Sequence, residues 1–366
     1  MPEERYRSAS FARINLFLLG FIALILAIGA LKITASVVLP FMIAVLLTFV
    51  LEPVIIGLEK IKIPRVIGAV VVVLIVAMGI YVIGVILYGS LKTILSLYPK
   101  YEERFSYLYS LVAKAFSLPY DARISLFQNL WSQLGVRERV QTLALTTSES
   151  FLGFLTDTVM VILFVVFLLL EIGHFRKRIE LAFAGIMSTR IQHIVADVIK
   201  QVARYLSAKF FISLATGLII GLLLGWIGVD FPIVWGVVSF ILNFIPSIGS
   251  IIGGAGVTLF ALVQFWPAPG PIIAAAATML GVNMVLGNII EPRVQGQNLG
   301  LSPFIIIVSL SAWGWLWGFA GLVLAVPMTV IVKIVCENVP GLEAVSIMMG
   351  SYQEVRQKRK KDRKPK

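Results

Sequence analysis

The sequence predicts an all-α integral membrane protein of about eight membrane segments, two of them re-entrant helical hairpins in an inverted repeat, plus a small helical outer domain. Three observations carry that prediction. The chain is 59% hydrophobic and only 14% charged, more apolar surface than a water-soluble domain of this size could hide in one core. Its apolar runs are continuous, as in Val161 to Leu170, and do not alternate with polar residues as barrel strands do. Two long runs, Ile233 to Trp266 and Phe304 to Val335, are each broken near the middle, the first at Asn243-Phe244-Ile245-Pro246-Ser247-Ile248-Gly249-Ser250 and the second from Trp313 through Gly318 to Gly321. A straight helix over either run would rise about 48 to 51 Å, against a hydrocarbon core of about 30 Å. Half of each run rises only about 20 to 27 Å, so hairpins fit better than full crossings. Lipid cannot satisfy the free N–H and C=O groups at the tips, which should therefore line a cavity. Broken helices at matching places often mark substrate sites, and the pattern points to a transporter.

Four simple crossings precede the broken runs: Ile14 to Leu31, Ala35 to Leu51, Val66 to Tyr88 and Leu152 to Leu170. Glu52-Pro53 reads as closing the second and Pro64 as opening the third. No small-x-small cleavage motif follows the first run, so it reads as a retained helix and not a signal peptide. With the N-terminus inside, Lys60, Lys62, Arg65 and Arg176-Lys177-Arg178 also fall inside, as the positive-inside rule requires. Between the third and fourth crossings, Leu91, Ile94, Leu95, Tyr98, Phe105, Leu108, Tyr109 and Val112 keep helical spacing, as does a second run from Ile124 to Leu134. Ile191, Ile194, Val195, Val198, Val202 and Leu206 form one apolar face of an inner connector, which either lies on the membrane or packs beneath the protein. Phe210 to Ile227 crosses outward before the first hairpin and Pro271 to Ile290 inward before the second, so the two units are inverted. Gly217, Gly221 and Gly225 mark close helix packing and carry no substrate role.

The expected divisions are 1–89 for three scaffold helices, 90–150 for the outer helical domain, 151–209 for the fourth crossing and connector, 210–340 for the transport region, and 341–366 for a basic cytoplasmic tail. The expected location is the cell inner (plasma) membrane, with both termini cytoplasmic. The net charge of +12 comes from residues beside membrane segments and from the tail that starts at Arg356, which points to anionic lipid and excludes nucleic acid as a partner. The single cysteine, Cys336, excludes an internal disulfide, and the two histidines form no cluster with it, so no metal and no cofactor is expected. No Walker A loop or nucleophile elbow is present, which argues against an enzyme with catalytic residues or an ATP-driven pump.

At the first tip, Pro246 lacks an N–H and disfavours helix at Ile245, while Gly249 permits conformations other residues resist. Ser247 or Ser250 is placed to cap the following half-helix, and Asn243 adds donors and an acceptor. Asn283 and Asn288 are costly polar groups in a membrane segment, facing either a pathway or a neighbouring helix. With Trp315 at the second tip, either a belt residue or a cavity plug, these are the candidate substrate-binding residues. Glu291, Arg293 and Asp157 are the candidates for ion or proton coupling. The alternative for the first two is an interfacial anchor, and for Asp157, near the outer edge, a snorkelling surface acid.

The first-tip residues, then Gly287-Asn288-Ile289-Ile290-Glu291-Pro292-Arg293-Val294-Gln295-Gly296, Leu301-Ser302-Pro303 and Ala325-Val326-Pro327, in that order, resemble the motifs of the autoinducer-2 exporter family over nearly the whole chain. The resemblance implies a secondary transporter driven by a proton or ion gradient, exporting autoinducer-2 in some members and exchanging sodium or lithium for protons in others. It also implies a homo-oligomer, expected to be a pentamer. Ser247 and Ser250 stand where many relatives carry bulkier residues or proline, so detailed site chemistry does not carry over. An elevator-like movement is one expectation; an ion channel or a structural membrane oligomer is the alternative from a different class.

Overall fold

The computed structural model describes residues 18–115 apart from 24, then 153, 156–171, 178, 181–183, 186–295, 300–339 and 341–351. The N-terminal arginines, the outer segment beyond Ala115 and the basic tail lie outside the described residues. Among the described residues there are helices, short turns and one isolated bridge, Leu301 with Gly350. Six helices among the described residues are long and apolar enough to cross a membrane. The all-α membrane architecture expected from composition is what the chain forms.

In order, the helices are α1 (Leu18–Ile33), α2 (Ala35–Lys60), α3 (Arg65–Ala115), α4 (156–171) and α5 (Ile186–Ile227). Next come α6 (Pro232–Leu242), α7 (Ile248–Phe265) and α8 (Pro269–Val282). The last runs through a π-helical stretch, Asn283–Ile290, into α9 (Glu291–Gln295). Then follow α10 (Pro303–Asn338) and α11 (Glu343–Met349). The chain falls into two compact units, one from Thr48–Leu299 and one from Met1–Leu47 with Gly300–Lys366.

Several helices outrun their predicted ends. α2 passes through Pro53 to Lys60 instead of closing at Leu51. A proline inside a helix removes one backbone bond, and the acid before it is neutralised. Arg65 Nη2 donates to Glu52 Oε1 and Oε2 at 2.7 and 2.6 Å, while its Nε donates to the Leu169 carbonyl at 3.0 Å. One guanidinium thus ties together the ends of α2, α3 and α4. The α2 end is closed by Lys62 in the left-handed region (φ 68), with Ile63 N–H on Leu58 O and Lys62 N–H on Glu59 O, a Schellman arrangement.

α3 is one helix of 51 residues, rising about 76 Å. It merges the third crossing with the first run of the expected outer segment, and Tyr88-Gly89-Ser90 holds no proline to stop it. α5, 42 residues, likewise merges the connector with the crossing that follows. Val198, Val202 and Tyr205 on its connector part are buried inside the protein, which decides for packing over a purely interfacial role along that stretch.

Both broken runs are hairpins. A Cβ at Gly249 would stand 1.7 Å from the Leu242 carbonyl oxygen, and one at Gly256 would touch the Trp235 ring at 3.4 Å, so α6 and α7 run antiparallel in contact. In α10 the backbone leaves helical geometry at Trp317 (φ −127, ψ 18) and Gly318 (φ 60, ψ −137). Its arms fold together there: Ser309 Oγ donates to Ala325 O at 2.9 Å, and a Cβ at Gly321 would lie 1.9 Å from Trp313 O. Ser302 caps the first arm by accepting from Ile305 N–H at 3.2 Å, with Pro303 beginning the helix, where its missing donor costs nothing. The expected glycine seam is present, since a Cβ at Gly217 would fall 2.6 Å from Gly236 O on α6. Beneath it Ile220, Leu224, Val257, Ala261 and Ala275, all fully buried, join α5, α7 and α8 in one core.

Candidate functional site

The first hairpin opens where sequence chemistry demands it. α6 ends at Leu242, and Pro246 and Ser247 make the turn before α7 starts at Ile248. Beneath this turn lies a crevice of about 10 Å³, room for one water-sized body. Ser239 and Asn243 reach it from the end of α6, Gly249, Ser250 and Gly253 from the start of α7, and Asn283 with Met279 from α8; Ile220 of α5 closes it.

The polar groups are unequally satisfied. Asn243 Nδ2 donates to Ser213 Oγ at 3.0 Å, Asn283 Nδ2 to Met279 O at 2.8 Å, and Ser250 Oγ to Ser247 O at 3.0 Å. Ser239 Oγ is buried without a hydrogen-bond partner, a state that costs about 1–3 kcal/mol when nothing fills the gap.

Four of the candidate residues, Asn243, Gly249, Ser250 and Asn283, therefore come together. Pro246 and Ser247 shape the tip without lining the crevice. Ser247 is exposed with φ 60 and ψ −48, and although it occupies the cap position of α7 its side chain makes no capping bond. That corrects the capping expectation: the first N–H groups are met by backbone, Ile248 by Pro246 O, Gly249 by Ile245 O and Ile251 by Ser247 O. Gly249 serves close backbone approach to Leu242 and not, as expected, an unusual conformation.

The other candidates stand elsewhere. Asn288 is exposed. Trp315 is 63% exposed, and Lys32 Nζ sits 3.9 Å over its ring, a cation–π contact in place of a cavity plug; the buried ring at that tip is Trp317, whose Nε1 donates to Leu31 O at 3.3 Å. Asp157 and Arg293 are exposed. Glu291 closes the π-helical stretch, its N–H bonded to Leu286 O. Its carboxylate meets Lys209 Nζ at 2.5 Å, and the Lys209 side chain is 2% exposed. Glu291 is therefore half of an ion pair with Lys209.

Sequence reasoning missed Lys209, Ser213 and Ser239. Lys209 and Ser213 share one face of α5 with Thr216, Ile220 and Leu224, all of them buried. That spacing of 4, 3, 4 and 4 was the available signal: a polar stripe on the face that also carries core residues. Ser239 had none, as one serine in an apolar run.

At the far end of the hairpin from its tip, α3 grips the loops. Tyr101 Oη donates to Asp230 Oδ2 at 2.6 Å and Lys100 Nζ donates to the same oxygen at 3.1 Å, while Arg104 donates to Gln264 O. Tyr101 also stacks on Phe260 at 5.3 Å. Burial opposes ionisation of Asp230, but the hydrogen bonds from Tyr101 and Lys100, with the Lys100 and Arg104 charges, outweigh it and hold the carboxyl below its usual range. Burial, then the Asp230 hydrogen bond and charge, push the Tyr101 phenol above its ordinary value against the opposing Arg104 charge.

Apolar spanning helices, hairpins folded within them and neutral oxygens beneath an unwound tip define a multi-pass membrane transporter of the broken-helix kind. The chain belongs to the AI-2E family transporters, whose family model matches residues 21–341. It is 30% identical over 329 residues to a Borreliella burgdorferi protein named "Putative transport protein", covering 90% of this chain and 89% of that one. It is 28% identical over 344 residues to the AI-2 transport protein TqsA of Escherichia coli K12, covering 91% and 94%. A sodium-lithium/proton antiporter of Halobacillus andaensis is 27% identical over 183 residues, half of each chain.

Proposed function

We propose that this protein is a secondary transporter that exports a small polar solute of the autoinducer-2 type across the inner membrane, driven by a proton or ion gradient. The observation that carries the reading is the crevice under the first tip, where a buried unpartnered hydroxyl and two asparagines gather at a helix break. The TqsA likeness over most of both chains supports the substrate class. At about 10 Å³ the crevice is closed to a solute of several heavy atoms, so loading requires the tip to move. The strained Ser247 turn is the natural hinge.

Coupling runs through Lys209 and Glu291 in this reading. Asn243 bonds Ser213, one helical turn from Lys209 on the same face of α5, so a single buried stripe links the crevice to the ion pair. Protonating Glu291 would leave the Lys209 charge buried and unmatched, a costly state, and that penalty would drive rearrangement. Both termini are placed in the cytoplasm, the first-half helices in an oligomeric scaffold of pentameric form, and the movement is elevator-like. Sodium or lithium exchange for protons is the second reading, supported by the half-length antiporter likeness and by the oxygen-lined crevice.

The test is flux into sealed vesicles under imposed proton, sodium and voltage gradients, comparing autoinducer-2 with sodium and lithium. Gradient-driven movement of one of them is expected; passive flux insensitive to all gradients would indicate a channel. Glu291→Gln keeps an acceptor for Lys209 and should abolish the pH dependence of transport without changing oligomer size, and a normal pH profile would reject the coupling role.

A further inference from the structure

We propose that the π-helical stretch Asn283–Ile290 is a register switch, whose conversion to α-helix turns Glu291 away from Lys209 when a solute in the crevice engages Asn283. This deepens the coupling proposed above and rests on it for its role in transport. The stretch joins the two places that coupling has to connect. Asn283 begins it and lines the crevice, and Glu291 follows its last residue. Glu291 N–H donates to Leu286 O, five residues back, so the stretch takes up one residue more than an α-helix over the same path. Such π-helical turns inside α-helices are rare and recur at functional sites.

The side chains permit two registers. Val282 and Leu286 share one buried core with Ile212 and Ile220, and Ile290 packs against it, a spacing of four and four. Met284, Val285, Asn288 and Ile289 are exposed. In an α-helix, with 3.6 residues per turn, Leu286 O would accept from Ile290 N–H, and the face of Val282 would continue through Val285 or Leu286 to Ile289. Ile289 would then fill the place of Ile290. One isoleucine replaces another, so the core loses little by the change. Glu291 has no such substitute and would turn by about 100°. Pro292, next in the chain, has no N–H and closes no bond in either register, which lowers the cost of sliding there. The ion pair selects between the registers: the Lys209 side chain is 2% exposed and meets Glu291 at 2.5 Å. At the other end, Asn283 Nδ2 donates to Met279 O at 2.8 Å, so a solute that takes this amide acts on the first turn of the stretch. A two-state element biased from both ends is a physical basis for coupling separate sites.

The experiment uses the full-length chain in detergent and reads thermal unfolding midpoints. With Lys209 and Glu291 in place, Ile290→Ala should lower the midpoint by about 4 °C or more, and Ile289→Ala by less than half as much. In the background Lys209→Met with Glu291→Ala, the pair no longer holds the π register and the order should reverse, because Ile289 enters the core. Ile290→Ala remaining the costlier change in that background overturns the proposal, as does Ile289→Ala being the costlier in the parent chain. A deletion decides the matter where that background does not fold. Removing Met284 takes out the extra residue and fixes the stretch as α-helix with Glu291 still facing Lys209. The midpoint should stay near that of the parent, while gradient-driven flux into vesicles is lost. Removing Ala277, exposed in the middle of α8, should unfold the protein, because it turns Met279 away from the buried side of Ala275. Unfolding by both deletions, or full flux without Met284, overturns the proposal too. Flux through Glu291→Gln separates the two claims. Unaltered coupling in that variant, with the reversal present, removes the coupling role and leaves the register change. Lost coupling without the reversal keeps the ion pair as the coupling site and removes the switch.

Discussion

Lys209 heads the fully buried large side chains, and it is charged. An ammonium in that position persists only because Glu291 stands 2.5 Å away, and removing one partner of such a pair typically costs about 3–5 kcal/mol. Lys209→Met should therefore destabilise the protein by about that much in detergent unfolding, because Glu291 is left without its counter-charge. The double change Lys209→Met with Glu291→Leu should recover most of the loss, since two apolar groups need no partner, while still abolishing coupled transport. Equal unfolding midpoints for single and double variants would show that the pair is not energetically linked. Glu291 was visible in the sequence as an acid beside a proline. Its partner was not, because Lys209 falls at the join between an amphipathic connector and an apolar crossing, where a lysine reads as an interfacial anchor.

At the scale of elements, each hairpin depends on a glycine that lets two backbones touch. Gly249→Ala would place a methyl 1.7 Å from Leu242 O, and Gly321→Ala one 1.9 Å from Trp313 O. The arms cannot separate that far without losing their packing, so each change should cost about 1–3 kcal/mol or more and abolish flux. Gly254→Ala is the matched control, its nearest neighbour being Met279 Cβ at 3.9 Å, and it should be tolerated; equal loss in all three would refute the close-approach argument. The breaks themselves were legible because Pro246, Gly249 and the Trp313 to Gly321 stretch disrupt helices in runs too long for one crossing. The helix ends were not. Glu52-Pro53 carries a stop signal that Arg65 overrides from the next helix, and the long α3 and α5 lack a breaker at the places where polarity changes. Of the site, Asn243 and Asn283 were legible as costly polar groups at a helix break, whereas Ser239 takes its meaning only from what fails to reach it.

Across the unit Thr48–Leu299, the long α3 holds the first hairpin at the end away from its tip through Lys100, Tyr101 and Arg104. The pH behaviour of this clamp separates it from coupling. Asp230 has a folded-state pKa below its unfolded value, so its stabilisation is present above about pH 3.9 and is lost as pH falls through the lower, folded value. Tyr101 has a raised pKa, so its contribution is full below about pH 10 and is lost only as pH rises through the folded value. Between those limits neither Asp230 nor Tyr101 changes its protonation state. A pH dependence of transport near neutrality must therefore arise elsewhere, and Asp230→Asn should leave the shape of that profile unchanged while lowering the stability of the hairpin loops. The same clamp offers a mechanical test. With Cys336, the only native cysteine, replaced by serine, cysteines at positions 100 and 230 joined by a bifunctional thiol reagent would tether α3 to the hairpin. If the hairpin moves against α3 during the cycle, complete cross-linking stops flux and reduction of a cleavable reagent restores it. Full flux with complete cross-linking would show that α3 and the hairpin travel together, and any moving boundary would then have to lie outside this contact.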